Sequence, residues 1–149
     1  MSKKQDGETS RLDHMLCFTV YSTAHAFNRA YKPLLDALDL TYPQYLAMFA
    51  LWEKDDLTVK EMGERLHLDS GTLTPLLKRL EAMGLVRRAR DTADERSVRI
   101  SLAPQGVALR DKEQTVRQGI LGACRMKPED LQSLNAQLVR VRDALNDSI

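Results

Sequence analysis

Between Thr58 and Leu102 the hydrophobic pattern changes period once, from the three-and-four spacing of a helix to the alternation of a strand. That one change limits what the chain can fold into. Thr58-Val-Lys-Glu61 matches a capping box, and Val59, Met62 and Leu66 then mark one face of a short helix. His67-Leu68 reads as a turn. Asp69-Ser70 is a second helix-start signal, and Leu73, Leu76, Leu77, Leu80 and Met83 carry a helix over 70–83. Gly84 is a natural stop. Leu85-Val-Arg-Arg-Ala and Ser97-Val-Arg-Ile-Ser-Leu102 read as strands. In the second, Val98, Ile100 and Leu102 face one way, Arg99 and Ser101 the other. The polar link over 90–96 is too long for a two-residue turn, so the strands form a hairpin with an extended tip. Two helices joined by a tight turn and followed at once by a hairpin make a winged helix-turn-helix.

Pro75 disturbs this reading. It falls within the second helix, where a proline forfeits a hydrogen bond at a cost of about 3 kcal/mol. Periodicity alone leaves two choices: a helix from Ser70 with a weakened first turn, or one that starts only at Thr74-Pro75.

The flanks are helical. Leu12, Met15, Leu16, Val20, Phe27, Ala30 and Tyr31 form an amphipathic stripe, which Ser10 or Asp13 could cap and Pro33 is expected to end or kink. Leu34, Leu35 and Leu38 continue it briefly. Tyr42-Pro43 opens another helix, with Pro43 at the first position, reaching about Trp52. Asp55-Asp56 is a break. Ala103-Pro104 opens a helix carrying Val107, Leu109, Val116 and Ile120. Pro128 opens the last one, with Leu131, Leu134, Leu138, Val141 and Leu145 on one face. The expected organisation is a disordered arm over 1–9 and a single domain over 10–149. Residues 10–57 and 103–149 supply helices, and 58–102 the winged unit.

The chain has 149 residues, enough to bury roughly two-thirds of its unfolded surface. No apolar run approaches the roughly 20 residues of a membrane span. The polar, lysine-bearing start has no apolar stretch behind it, so a cytoplasmic protein with no membrane partner is expected. Two cysteines, Cys17 and Cys124, are too few for a disulfide scaffold. His14, His25 and His67 are scattered, and no Cys/His cluster has zinc spacing, so neither metal nor cofactor is expected.

Net charge is only +1, but its distribution is uneven. Residues 58–102 hold nine basic and seven acidic residues, while 1–57 hold six and eight. The excess sits at the end of the second helix and on the hairpin, a local footprint suited to a phosphate backbone. An α-helix fits the major groove, and its N-terminal residues meet the base edges. Here those are Ser70, Gly71, Thr72 and Thr74, all short enough for close approach. Lys78 and Arg79 lie further along, within reach of phosphates. Arg96 at the hairpin tip is placed to enter a flanking minor groove. Without further support the same residues could be a packed helix and a solvated edge.

The run from Leu68 to Arg88, followed by Asp94-Glu-Arg-Ser97, resembles the recognition helix and wing of the multiple-antibiotic-resistance-regulator (MarR) family of dimeric winged-helix repressors. The resemblance covers residues 10–147. It implies a homodimer joined through the N- and C-terminal helices and bound to palindromic double-stranded DNA. It also implies a recognition helix that begins near Ser70 despite Pro75. By the same analogy Asp94 orients a wing arginine, and Arg96 is the minor-groove contact.

Tyr21, Tyr31 and Tyr42 follow Cys17 closely in sequence. Phenols are hydrogen-bond donors, and donors stabilise a thiolate, the form that peroxides attack. This arrangement resembles the organic-hydroperoxide-sensing (OhrR) branch of the family, in which one cysteine near the start of the first helix becomes a sulfenic acid and two tyrosines bond to it. Their offsets match Tyr31 and Tyr42. Cys124 resembles the resolving cysteine of the two-cysteine members, which form a disulfide between subunits. Met15, Leu16 and Phe18 would then line a dry pocket that favours organic hydroperoxides, with help from the other chain. The implied protein is a repressor and not an enzyme. Two other readings remain open. One is a family member that answers to a small aromatic acid, with Cys17 merely structural. The other is a thiol peroxidase, against which stands the absence of a Thr-x-x-Cys motif.

Overall fold

A computed structural model describes residues 11–149. They fall into two compact units, one ending at Val116 and the other comprising Arg117–Ile149. The architecture is mainly helical with a small antiparallel sheet, the winged helix-turn-helix expected. The elements run α1 (Leu16–Asp36), α2 (Tyr42–Glu53), β1 (Leu57–Thr58), α3 (Val59–Leu66), α4 (Ser70–Ala82), β2 (Val86–Arg90), β3 (Val98–Leu102), α5 (Pro104–Cys124) and α6 (Pro128–Asp147).

The first helix departs from expectation at both ends. Residues 11–13 make one helical turn that closes with Met15 N–H donating to Leu12 O at 3.0 Å. Met15 is then extended, at φ −81° and ψ 114°, and α1 restarts at Leu16 with no side-chain cap. Asp13 therefore does not cap it, and Ser10 lies outside the described residues. Pro33 neither ends nor divides α1, which continues to Asp36. The carbonyl that loses its partner belongs to Arg29, four residues back. Arg29 and Pro33 are both exposed, so water can satisfy that oxygen. Pro75 is tolerated in α4 for the same reason: its orphaned carbonyl is on exposed Gly71, and the helix starts at Ser70 as the resemblance implied.

α2 is apolar on most sides, which marks a helix surrounded by others. Tyr45, Ala47, Met48, Ala50, Leu51 and Trp52 are all buried. Its start has a full capping box that the sequence reading missed. Gln44 N–H donates to Thr41 Oγ1, and Thr41 N–H donates to Gln44 Oε1 at 2.9 Å. Tyr42 is the first helical residue and Pro43 the second. Around α2 pack Leu35 and Leu38 of the first segment, Leu57, Met62 of α3, and Leu73, Leu77 and Leu80 of α4. Val86, Ile100 and Val116 complete this core.

The sheet has the order β1-β3-β2, all antiparallel. β2 and β3 pair from Val86↔Leu102 to Arg90↔Val98. β1 was not anticipated. Two residues cannot show an alternation, and this strand exists because Leu57 and Thr58 pair with Ile100 and Arg99. Gly84 stops α4 in the left-handed region, at φ 79°.

Gly106, near the start of α5, is required for another reason. Trp52 Nε1–H donates to its carbonyl at 2.9 Å, and a Cβ on Gly106 would lie 2.1 Å from Leu85 O. A backbone atom cannot step aside as a side chain tip does. Gly106→Ala is therefore expected to lower the unfolding free energy by about 3 kcal/mol, the upper part of the range for overpacking. A urea melt checks this, and an unchanged midpoint would count against the contact.

α6 has no buried residue within the single chain. Leu134, Val141 and Leu145 are exposed along it, as are Leu16, Val20 and Phe27 along α1.

Candidate functional site

Leu73, Leu77 and Leu80, buried at steps of four and three, fasten α4 to the core. That seam turns Ser70, Gly71, Thr72, Lys78 and Arg79 outward, all exposed, with Thr74 half-buried. Asp69 caps the helix. Its Oδ1 accepts Thr72 N–H at 2.7 Å, and hydrogen bonds from Thr72, first from its side chain and then from its backbone, hold this carboxyl below its ordinary value of 3.8. Ser70 and Thr74 line a cleft of about 740 Å³ together with Thr58, Lys60, His67 and Arg96. The start of α4 and the wing arginine, 26 residues apart in sequence, thus share one face. Lys78, Arg79 and Asp94 lie outside the cleft walls.

The wing tip is held by hydrogen bonds between backbone and side chains. Asp91 N–H donates to Ser97 O and Ser97 N–H to Asp94 O, both at 2.9 Å. Asp91 Oδ1 accepts Ala93 N–H at 2.9 Å, and Asp94 Oδ1 accepts Arg96 N–H at 3.1 Å. Asp94 therefore fixes the backbone of Arg96 rather than its guanidinium, a refinement of the analogy. The Arg96 side chain is exposed.

At the foot of the wing a group appears that sequence reasoning missed. Arg99 on β3 donates to Asp56 Oδ1 at 2.9 Å, Asp56 O at 3.0 Å and Asp91 Oδ2 at 3.1 Å. Asp55-Asp56 had read only as a break, and nothing in sequence links it to a residue 43 positions later. Glu81 of α4 makes a parallel tie, accepting Arg88 N–H at 2.9 Å and Arg88 Nε–H at 3.1 Å.

These bonds set a pH dependence. Hydrogen bonds from Arg88 hold the Glu81 carboxyl below 4.5. Those from Ala93 N–H and then Arg99 hold Asp91 below 3.8. A depressed folded-state value adds stability above the unfolded value and loses it as pH falls through the folded one. Thermal stability is expected to be flat above about pH 5 and to fall in acid. Asp91→Asn should flatten part of that fall, and a parallel acid limb in this variant would remove Asp91 from the account.

The thiol region is arranged differently from the sequence expectation. Because α1 begins at Leu16, Cys17 lies in its first turn and is exposed. Tyr31 and Tyr42 do come together, with ring centroids 4.7 Å apart. They line a cleft of about 710 Å³ with Phe27, Leu35 and Leu40. Burial pushes the Tyr42 hydroxyl above its ordinary value of 10.0, so it remains a donor near neutrality. Cys17 does not line this cleft. It precedes Tyr31 by fourteen residues on one continuous helix, which at 1.5 Å per residue is about 21 Å. Within one chain the tyrosines cannot reach the thiol. Met15 and Leu16 are exposed, so among the described residues no dry pocket closes around Cys17. Its near neighbours on the helix face are Tyr21 and His25, whose rings meet edge to face at 4.5 Å.

Cys124 is a half-buried free thiol at the last position of α5. The next residue, Arg125, adopts a left-handed φ of 53°. Among the described residues no cluster of His, Cys, Asp and Glu could hold a metal, and no helix is long and apolar enough to cross a membrane.

Comparison with known proteins agrees with this geometry. A family model described as transcriptional regulator SarA/Rot matches residues 29–112. The chain is 48% identical over 136 residues to the organic hydroperoxide resistance transcriptional regulator of Bacillus subtilis, covering 91% of this chain and 92% of that one. It is 50% identical over 146 residues to the regulator TtmR of Methylorubrum extorquens, covering 98% and 75%. Among solved structures, reduced AbfR bound to DNA aligns with a TM-score of 0.74 at 32% identity, covering 95% of this chain and 99% of that one. The disulfide-containing form of AbfR aligns at 0.64 with 33% identity, covering 94% and 98%. AbfR is a protein of Staphylococcus epidermidis.

Proposed function

Because this chain belongs to the MarR family of DNA-binding winged-helix transcriptional regulators, we propose that it is a repressor that senses organic hydroperoxides through Cys17. The observation that carries the DNA half is the shared face of Ser70, Thr74 and Arg96. Ser70, Gly71, Thr72 and Thr74 enter the major groove, Lys78 and Arg79 meet phosphates, and Arg96, its backbone fixed by Asp94, reads the flanking minor groove.

The sensing half rests on Tyr31 and Tyr42. They form a pair lining one cleft, yet Tyr31 lies about 21 Å along α1 from its own Cys17. They act on the thiol of a second subunit. A homodimer paired through α1, α5 and α6 would supply that thiol and cover the exposed apolar faces of α1 and α6. Two recognition helices then lie about 34 Å apart on a palindrome. The chemistry begins with the Cys17 thiolate attacking the distal oxygen of the hydroperoxide. The O–O bond breaks, Cys17 becomes a sulfenic acid and the alkoxide leaves as an alcohol after protonation. The Cys124 thiol of the other subunit next displaces hydroxide from the sulfenic sulfur, giving a disulfide and water. The 48% identity to a regulator named for organic hydroperoxide resistance supports this reading.

Gel-shift titration with a duplex selected from a random library by the reduced protein tests it. Arg96→Ala is expected to weaken binding by about 1–3 kcal/mol. Affinity should fall steeply with salt, because each neutralised phosphate releases a counterion. A flat salt response, or an Arg96→Ala chain that binds as the parent does, would overturn the groove-and-wing mode.

A further inference from the structure

One residue outside the expected DNA contacts ties the wing to the segment before β1. Arg99 points away from the core, on the strand face that also carries Ser101, and two carboxylates from different parts of the chain converge on it. Asp56 precedes β1 and accepts from Nε–H at 2.9 Å, while its carbonyl accepts from Nη2–H at 3.0 Å. Asp91 begins the wing tip and accepts from Nη1–H at 3.1 Å. All of the guanidinium's nitrogens are thereby engaged. Asp56, at a left-handed φ of 61°, thus meets Arg99 through its backbone carbonyl as well as its carboxylate. Asp91 is the less exposed partner, at 17%, against 34% for Arg99.

Each anchor belongs to a different half of the DNA-binding unit. Asp56 leads into Leu57-Thr58, and Thr58 caps α3, its Oγ1 accepting Glu61 N–H at 3.1 Å. Asp55 Oδ1 adds a tie to β3 by accepting Leu102 N–H at 2.8 Å. Asp91 leads into the tip, whose hydrogen bonds run through Ala93 and Asp94 to the Arg96 backbone. Between these halves lies the cleft shared by Thr58, Ser70, Thr74 and Arg96.

We infer that Arg99 is a positioning residue for DNA binding: it clamps the wing to the segment before α3 and so sets where Arg96 meets the duplex. This rests on the DNA-binding reading above. A fork with three fixed donors holds direction as well as distance, which a lysine ammonium, a single rotating point charge, does not. The clamp acts through Arg96, because each of the three guanidinium nitrogens of Arg99 is already tied to a partner inside the protein, which holds three of its five N–H donors.

A double-mutant cycle on the full-length reduced protein tests this, with the library-selected duplex as probe and Kd read at several salt concentrations. Arg99→Ala should weaken binding about tenfold, the scale of a charge-assisted hydrogen-bond loss. In the Arg96→Ala background the same change should cost less than about twofold, because the residue it positions is gone. Arg99→Lys should recover little. Asp91→Asn keeps an acceptor for Ala93 N–H but loses the ion pair. It guards against a misfolded alanine variant and should also weaken binding only when Arg96 is present. Fully additive losses for Arg96 and Arg99 would overturn the clamp and make Arg99 a direct contact. If Arg96→Ala itself costs nothing, the wing reading fails and the clamp with it. Unaltered affinity in both Arg99→Ala and Asp91→Asn would overturn the clamp alone.

Discussion

Reduced protein on its duplex is expected to dissociate when a stoichiometric amount of cumene hydroperoxide is added, and dithiothreitol is expected to restore the complex. Cys17→Ser should remain bound throughout, a complete loss of response. Cys124→Ser should form the sulfenic acid but, with no thiol to trap it, drift on to sulfinic and sulfonic acids that dithiothreitol does not reverse. The size of the effect follows from population shift: moving an equilibrium from 1:99 to 99:1 takes about 5.5 kcal/mol of differential stabilisation. A disulfide can supply a difference of this order only if its formation changes the structure. Its Cα atoms must come within about 4.4–6.8 Å, so the reduced dimer should hold Cys17 and the partner subunit's Cys124 further apart than that. Closing the gap then turns the winged units against the helices that join the subunits. A non-reducing gel after peroxide should show a covalent dimer of the parent protein and only monomers of either cysteine variant. A reduced dimer with those sulfurs already within bonding reach would sink the mechanical part of the argument and leave the redox chemistry standing.

The second large effect distinguishes a site built within one chain from a site built between two. Tyr31→Phe,Tyr42→Phe removes both donors while keeping the rings, so Cys17 in that homodimer should react slowly with peroxide. Cys17→Ser should not react at all. When the two variants are combined in mixed dimers, one of the two sites regains all its parts: the cysteine of the tyrosine variant and the tyrosines of the cysteine variant. Stopped-flow oxidation should then show a fast phase at the parental rate for the mixed dimers. Tyrosines serving their own chain would give no such phase. The helix makes the choice sharp, since no rotamer of Tyr31 spans about 21 Å of α1.

The winged unit was legible in the sequence because its signals are local. Thr58, Asp69 and Gly84 punctuate it, the apolar period changes at Gly84, and short hydroxyl residues stand at the start of α4. Helix caps act within three or four residues, so a linear reading reaches them. Even there the reading reached only so far: Thr58 does accept Glu61 N–H, but the Glu61 carboxylate accepts from the Thr58 hydroxyl at 3.1 Å instead of completing the capping box. Pro33 did not end the helix for a related reason. Its cost depends on whether the orphaned carbonyl reaches water, and exposure is not written in the local sequence.

What tertiary structure alone decided is of longer range. β1 is two residues long and owes its existence to β3, 43 residues away. The Arg99 clamp joins Asp56 and Asp91, which no periodicity relates. Gly106 is demanded by the close approach of Leu85. The pairing of Tyr31 with Tyr42 agreed with their sequence offsets, but those offsets counted residues and not ångströms. A helix converts fourteen residues into about 21 Å, and that rigidity, not the identity of any side chain, keeps Tyr31 away from the thiol of its own chain.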